Sequence, residues 1–193
     1  MRRYSLRLWP CLLGLLLGST IVACGARKPV PAPATSGPGP TVTVPIELPV
    51  VISIAGHFDE AALALLDRQI ATFEEENPDV KVEVVSAPRL KDKRKETFAS
   101  ALTSKDNSVD LYVVDPSWLP EFASGGWLVP LDAFAASTGS LLDRFPPAQV
   151  QANTFDGFLL GLPWGQGQSL VLSAFSLQPD RSLRLMAALL TER

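Results

Sequence analysis

Between Val50 and Val114 the hydrophobic period of the chain alternates between the two-residue repeat of a strand and the roughly 3.6-residue repeat of a helix. Val50-Val51-Ile52-Ser53-Ile54 is β-branched, ends near Gly56 and predicts a strand. Asp59 can cap a helix whose Ala62, Leu66, Ile70 and Phe73 fall on one face. That helix should stop near Asn77, because Pro78 disfavours helix at the residue before it. Val80, Val82 and Val84 alternate with Lys81 and Glu83 and predict a second strand with one wetter face. Lys91 to Thr103 predicts a second helix with Phe98, Ala101 and Leu102 buried, and Asp110 to Val114 a third strand. Strand, helix, strand, helix, strand in that order favours an α/β fold, a largely parallel sheet flanked by helices with right-handed crossovers. The expected strand order is second, first, third, because the first strand is the most apolar.

Two segments precede this unit. Residues 1–23 carry Arg2, Arg3 and Arg7, then an apolar stretch from Leu8 to about Gly18. That stretch falls short of the roughly 20 residues a bilayer crossing needs and matches the apolar region of a secretory signal. Ile21-Val22-Ala23-Cys24 resembles the bacterial lipobox, in which the cysteine is acylated and becomes the mature N-terminus. Arg2-Arg3 also resembles a twin-arginine signal, although the rest of that motif is poor. Residues 24–49 hold Pro29, Pro31, Pro33, Pro38, Pro40, Pro45 and Pro49, with Gly37 and Gly39 between them. Proline fixes φ and removes donors, so this stretch reads as a semi-extended tether. The expected location is extracytoplasmic, lipid-anchored to the cell membrane.

Charge and composition exclude several function classes. Removing residues 1–23 takes three arginines from 17 basic residues and none of the 20 acidic ones, moving the net charge from −3 to about −6. An acidic chain argues against nucleic acid as a partner. Cys11 and Cys24 are the two cysteines and both lie in the N-terminal segment. With one histidine, His57, neither a multi-histidine metal site nor a histidine-based triad is expected, and no cofactor motif stands out. Gly165-Gln166-Gly167-Gln168 lacks both the phosphate-loop lysine and a dinucleotide fingerprint. Lys91-Asp92-Lys93-Arg94-Lys95-Glu96 reads as a solvated helix face.

After Val114, Asp115 with Pro116 predicts a helix start, and Gly125-Gly126 a stop. Short helices are expected near Asp132–Ala136 and Pro147–Asn153, and Asp156-Gly157 between two phenylalanines signals a hairpin. Phe73-Glu74-Glu75-Glu76-Asn77-Pro78-Asp79-Val80 resembles the first helix and second strand of the extracellular solute-binding proteins of bacterial ABC importers, the sugar-binding lipoprotein type. Asp110 to Asp115, then Phe122-Ala123-Ser124-Gly125-Gly126-Trp127-Leu128-Val129-Pro130-Leu131, resembles that family's third strand, helix and apolar turn. Phe155-Asp156-Gly157 and Gly161-Leu162-Pro163-Trp164 resemble its hairpin and the exit from it.

The resemblance implies a periplasmic-binding-protein-like fold of which residues 50–172 would form the first lobe only. It implies a small solute, most simply a sugar, with permease subunits as partners and no catalysis. The alternative is a lipoprotein enzyme such as a carboxylate-based glycoside hydrolase, although no nucleophile elbow is present and no carboxylate pair is forced together. Loops at the carboxyl ends of strands are where α/β folds bind ligands. There His57 can hydrogen-bond a ligand hydroxyl or face water. Asp115 and Ser117 can bind hydroxyls, with Asp115 alternatively only a cap. Trp118 and Trp164 can offer aromatic faces or simply pack; Trp127 is expected in the core. Residues 173–193 depart from the family's pattern, which suggests truncation or a shifted reading frame. Leu183, Leu185, Met186, Leu189 and Leu190 permit an amphipathic helix with little for its apolar face to pack on.

Cys24 is expected to be the acylated N-terminus of the mature protein. Mass spectrometry of membrane-fraction protein should find lipid on Cys24, and Cys24→Ser should release the chain from the membrane. An unmodified N-terminus or unchanged membrane association would contradict this.

Overall fold

A computed structural model describes residues 48–165 and 167–191. The expected signal segment, Cys24 and the tether up to residue 47 lie outside the described residues. Among the described residues no helix is long and apolar enough to cross a membrane.

The alternating segment folds in the expected order. Strand β1 (Val50–Gly56) leads to helix α1 (Glu60–Glu76), then β2 (Val80–Ser86), α2 (Lys91–Thr103) and β3 (Leu111–Val114). Asp59 caps α1 by accepting the Ala62 N–H at 2.8 Å. At its far end the Asn77 backbone N–H and side-chain Nδ2 both donate to the Phe73 carbonyl, ahead of Pro78. A 3₁₀ turn (Pro116–Trp118) runs into α3 (Leu119–Ser124), followed by α4 (Asp132–Ser137) and α5 (Pro147–Ala152). A small hairpin, β4 (Thr154–Phe155) and β5 (Phe158–Leu159), turns at Asp156 and Gly157. Their φ values of 51° and 83° are the two positive angles that a two-residue turn of this hand requires. The chain continues through β6 (Leu162–Trp164), β7 (Gln168–Leu172) and α6 (Pro179–Thr191).

The main sheet has the order β2-β1-β3-β7-β6. The expected arrangement of the first three strands is present: β1 lies between β2 and β3 and is parallel to both. Beyond β3 the sheet is mixed, because β7 runs antiparallel to β3 and β6 antiparallel to β7. A connection from Trp164 to Gln168 is too short for a crossover, so β6 and β7 can only be antiparallel.

Strand alternation divides the interior between the two sheet faces. Ile52, Ile54, Leu111, Val113, Leu170 and Leu172 point to one face, where Leu66, Ile70 and Phe73 of α1 cover part of them. Ala55, Tyr112, Val114 and Val171 point to the other, beneath Phe98 and Leu102 of α2 and Leu119 and Phe122 of α3. Burial pushes the Tyr112 phenol up to about 12. Trp127, expected in the core, is half-buried, with its ring 5.6 Å from that of Phe122.

The tail corrects a sequence expectation. Its helix forms, but its apolar face does not lack a partner. Leu185, Met186, Leu189 and Leu190 of α6 are buried in the same cluster as α1 and the β3–β7 half of the sheet. The physical reason is that α1 alone leaves Leu111, Val113, Leu170 and Leu172 without a roof. Burying each large apolar side chain contributes roughly 1.5–3 kcal/mol. Polar contacts fix the docking: Gln69 Nε2 donates to the Leu189 carbonyl at 3.2 Å, and Arg184 Nη1 to Asn77 Oδ1 at 2.7 Å. Arg181 Nε donates to Asp79 Oδ2 at 3.3 Å.

Leu185→Ala should therefore destabilise the chain by about 2–5 kcal/mol in urea unfolding, as truncation of a fully buried leucine does. Leu177→Ala, at a side chain that is 69% exposed, should stay within about 0.5 kcal/mol. Equal effects at the two positions would mean that α6 does not dock.

Candidate functional site

Parallel strands bring their carboxyl ends, and the starts of the helices that follow them, to one edge of the sheet. At this edge the Ala87 N–H donates to the Gly56 carbonyl at 2.8 Å, tying the exit of β2 to that of β1. The other end of the sheet contributes too, because Val114 pairs with Ser169 and Trp164 with Gln168. The turn between β6 and β7 therefore sits beside the exit of β3.

His57 follows the last residue of β1 and is half-buried. Phe58 comes next, and its ring meets that of Trp164 edge to face, centroids 5.7 Å apart at 82°. Trp164 is 7% exposed and belongs to the core cluster roofed by α1 and α6. The predicted aromatic at this position thus stands at the edge with most of its surface packed.

Asp115 leaves β3 as the cap of the 3₁₀ turn and is half-buried. Its Oδ1 accepts the Ser117 N–H at 2.9 Å and the Ser117 hydroxyl at 2.6 Å. Its Oδ2 lies 2.5 Å from Lys91 Nζ. Burial pushes the Asp115 carboxyl up, but the hydrogen bonds from Lys91 and Ser117 outweigh it and hold the group below the usual carboxylate range. At neutral pH it is an ionised acceptor. Ser117 is exposed.

Trp118 is placed differently from the other candidates. It is 3% exposed and lies between Phe98 and Phe122, with centroid distances of 6.4 and 6.2 Å. The Arg94 guanidinium lies 5.7 Å from its ring centroid and donates through Nη1 to the Pro88 and Arg89 carbonyls. Trp118 is thus a support beneath the 3₁₀ turn, locking the loop that holds Asp115 to α2.

Three contributors were not singled out from the sequence. Lys91 belongs to a charge run whose pattern predicts a solvated face, yet it pairs with Asp115 across the edge. Arg94, in the same run, is buried. Phe58 could have been found as the neighbour of His57 after a strand end; the Lys91–Asp115 pair and the Arg94–Trp118 contact join residues 24 positions apart and leave no local signal. Among the described residues no cluster of His, Cys, Asp and Glu is arranged to hold a metal ion. Two surface cavities, each of about 330 Å³, lie by Arg144 and Phe145 and by Phe155 and Phe158. Their linings share no residue with this edge.

The arrangement offers an ionised carboxylate, a hydroxyl, an imidazole and an aromatic pair along one rim. Such groups suit hydroxyl-rich small molecules, whose oxygens need hydrogen-bond partners and whose C–H faces pack on aromatic rings.

The sequence model of the bacterial extracellular solute-binding proteins matches residues 55–173, a span that contains His57, Asp115, Ser117, Trp118 and Trp164. The maltose-bound MalE3 of T. maritima is similar at 25% identity and a TM-score of 0.55, over 60% of this chain and 28% of that one. The Thermus thermophilus maltotriose binding protein, bound with maltotriose, is similar at 32% identity and a TM-score of 0.51, over 58% of this chain and 28% of its own. The sugar-binding protein MalE of Xanthomonas citri is similar at 27% identity and a TM-score of 0.52, over 60% of this chain and 28% of its own. The aligned part of this chain thus spans 28% of the length of each of these three structures. Because the family's model matches more than half of this chain, residues 55–173, the chain belongs to the bacterial extracellular solute-binding proteins.

Proposed function

We propose that this chain is a carbohydrate-binding lipoprotein component of an ABC importer, and that it supplies one wall of a solute cleft. In this reading Cys24 carries the lipid anchor outside the cytoplasm and residues 24–49 hold the lobe off the membrane. The permease subunits of the importer are the protein partners. The observation that supports the reading is that His57 and Phe58 follow β1, Asp115 and Ser117 follow β3, and the Phe58 ring meets that of Trp164, in a chain similar to maltose- and maltotriose-bound proteins.

Each group has a role in this reading. Asp115, held ionised by Lys91 and Ser117, accepts hydrogen bonds from sugar hydroxyls. Ser117 and His57 add exchangeable donors and acceptors beside it. Phe58 and the exposed margin of Trp164 receive the C–H face of a sugar ring. Trp118 serves by keeping the Asp115 loop in place. Binding without turnover fits the carboxylates, because Asp59 and Asp115, which follow β1 and β3, are both engaged as helix caps.

A cleft-binding protein buries most of its ligand between two walls, and closure about a hinge contributes to affinity. One wall alone should bind weakly. The expected result of a nuclear magnetic resonance titration with maltotriose is a dissociation constant of about 1 mM or weaker, with shifts around His57, Asp115 and Trp164. Micromolar binding would contradict the one-wall reading, and no shift at any sugar concentration would contradict the carbohydrate reading.

Substitutions should separate the two tryptophans. Trp118→Ala should act first on stability, at about 3–5 kcal/mol, because it empties a buried aromatic site. Asp115→Asn should weaken binding by about tenfold, the equivalent of roughly 1.4 kcal/mol, while leaving the fold intact by circular dichroism. Unchanged sugar shifts in Asp115→Asn would remove Asp115 from the site.

A further inference from the structure

Among the described residues, the outer strands of the main sheet are β2 and β6. An open strand edge offers unpaired N–H and C=O groups to any other strand. β6 is short and carries Pro163, which has no N–H to offer. β2 is seven residues long, and its inner edge pairs with β1 without interruption from Val80 to Ser86.

Backbone groups of alternate residues point to opposite edges of a strand, and Val82 identifies the outward set. Its N–H donates to Glu74 Oε1 at 2.8 Å. Val80, Val82 and Val84 therefore turn their N–H and C=O groups outward. The Val80 N–H is already taken by the Asn77 carbonyl at 2.9 Å. Glu74 reaches over from the last turns of α1, and its other oxygen holds Lys81 Nζ at 2.6 Å. One side chain thus occupies an outward donor of β2 and draws aside the lysine next to it.

We propose that the outer edge of β2 is a latent self-pairing surface, fitted to β2 of a second copy of this chain, and that Glu74 keeps it closed. Antiparallel pairing about a twofold axis through Val82 sets Val82 opposite its own copy and Val84 opposite Val80. All three belong to the outward set, so the hydrogen-bonding parity agrees; the Val80 carbonyl accepts from Val84 of the other copy while its own N–H stays with Asn77. The same register sets Lys81 opposite Glu83 of the other copy, twice over, because a twofold interface repeats each contact. Lys81 and Glu83 then form non-hydrogen-bonded pairs, in which side chains lie closest and opposite charges attract. Both side chains are exposed on the same face of β2. Centring the pairing on Lys81 or on Glu83 sets like charges against each other and turns inward-bonded groups to the partner. A register about Val80 would set Lys81 opposite Asp79, but Asp79 is already held by Arg181 and Arg184 and lies outside β2, so the register about Val82 is the one that keeps its charge pairs within the strand.

This surface is separate from the carboxyl-edge site and does not rest on the carbohydrate reading. The test is analytical ultracentrifugation of the full chain carrying Cys24→Ser, which takes lipid out of the measurement. The parent should sediment as a monomer. Adding Glu74→Ala should give a concentration-dependent dimer, about a twofold rise in mass. Lys81→Glu on that background should return it to monomer by setting Glu against Glu83. Glu83→Lys on top should restore the dimer with the pair exchanged. A folded Glu74→Ala chain that stays monomeric up to its solubility limit overturns the proposal. So does a dimer indifferent to Lys81→Glu. Should Glu74→Ala not fold, Glu74→Gln keeps an oxygen for Val82 but loosens its hold on Lys81. It should associate at higher concentration, and a strictly monomeric Gln variant also overturns the proposal.

Discussion

Asp110 is where the strands and the tail of this chain are fastened together. It is 5% exposed, so its carboxylate must be satisfied by the protein. One oxygen accepts the Ser53 N–H of β1 at 2.9 Å, and the other accepts the hydroxyl of Ser176 in the tail. Its backbone N–H donates to the Ser53 carbonyl, and its own carbonyl accepts from Ser173. Through one residue the central strand, the start of β3 and the exit of β7 share a hydrogen-bonded node. Losing either partner would leave a buried acceptor unpaired, which costs more than the bond's net contribution when formed.

The order of the sheet follows from that node. β1 and β3 form only a short ladder, Ile54 to Leu111 and Ala55 to Tyr112. Asp110 extends it by one residue through its backbone and side chain. With β3 fixed, β7 aligns beside it, and Ser173 and Ser176 set the direction in which the chain leaves toward α6. That helix then roofs the half of the sheet that α1 leaves open. The two helices are joined by Gln69 and by the clasp of Arg181 and Arg184 on Asp79 and Asn77. The clasp side chains are half-buried to exposed, so the clasp sets the position of α6 while apolar burial supplies most of the energy.

The candidate site depends on this scaffold because none of its side chains lies on a long free loop. Each sits within a few residues of a strand end or on the first turn of a helix. Asp115 is held from three directions, by Ser117, by Lys91 and by the Trp118 support beneath it. A rim built this way is already ordered by the scaffold, the condition under which the entropic cost of binding at such a site is small. Asp59 and Asp115 cap the helical segments after β1 and β3, whereas Leu90, at the capping position before α2, provides no side-chain cap.

The sequence alone determined the elements from β1 to β3 and their order, the helix starts and the hairpin turn that follow, but not β6 and β7. Val50 to Gly56, Asp59, Pro78, Val80 to Val84, Asp115-Pro116 and Asp156-Gly157 act through local sterics, capping and two-residue alternation, which operate over a few residues and are legible in a linear reading. The strand order of the first three strands was legible for a related reason: the most apolar strand belongs in the middle. Tertiary structure decided everything that joins distant residues. The apolar stripe of α6 announces a buried face, but only the gap left by α1 over β3 and β7 says what buries it. The charge run from Lys91 is largely solvated, as its pattern predicts, but folding also brings the exposed Lys91 to Asp115 and buries Arg94 against Trp118. Trp118 and Trp164 read alike as tryptophans near strand ends. Packing places one beneath a turn and the other at the rim, because burial depends on neighbours drawn from several elements, and no local pattern encodes them.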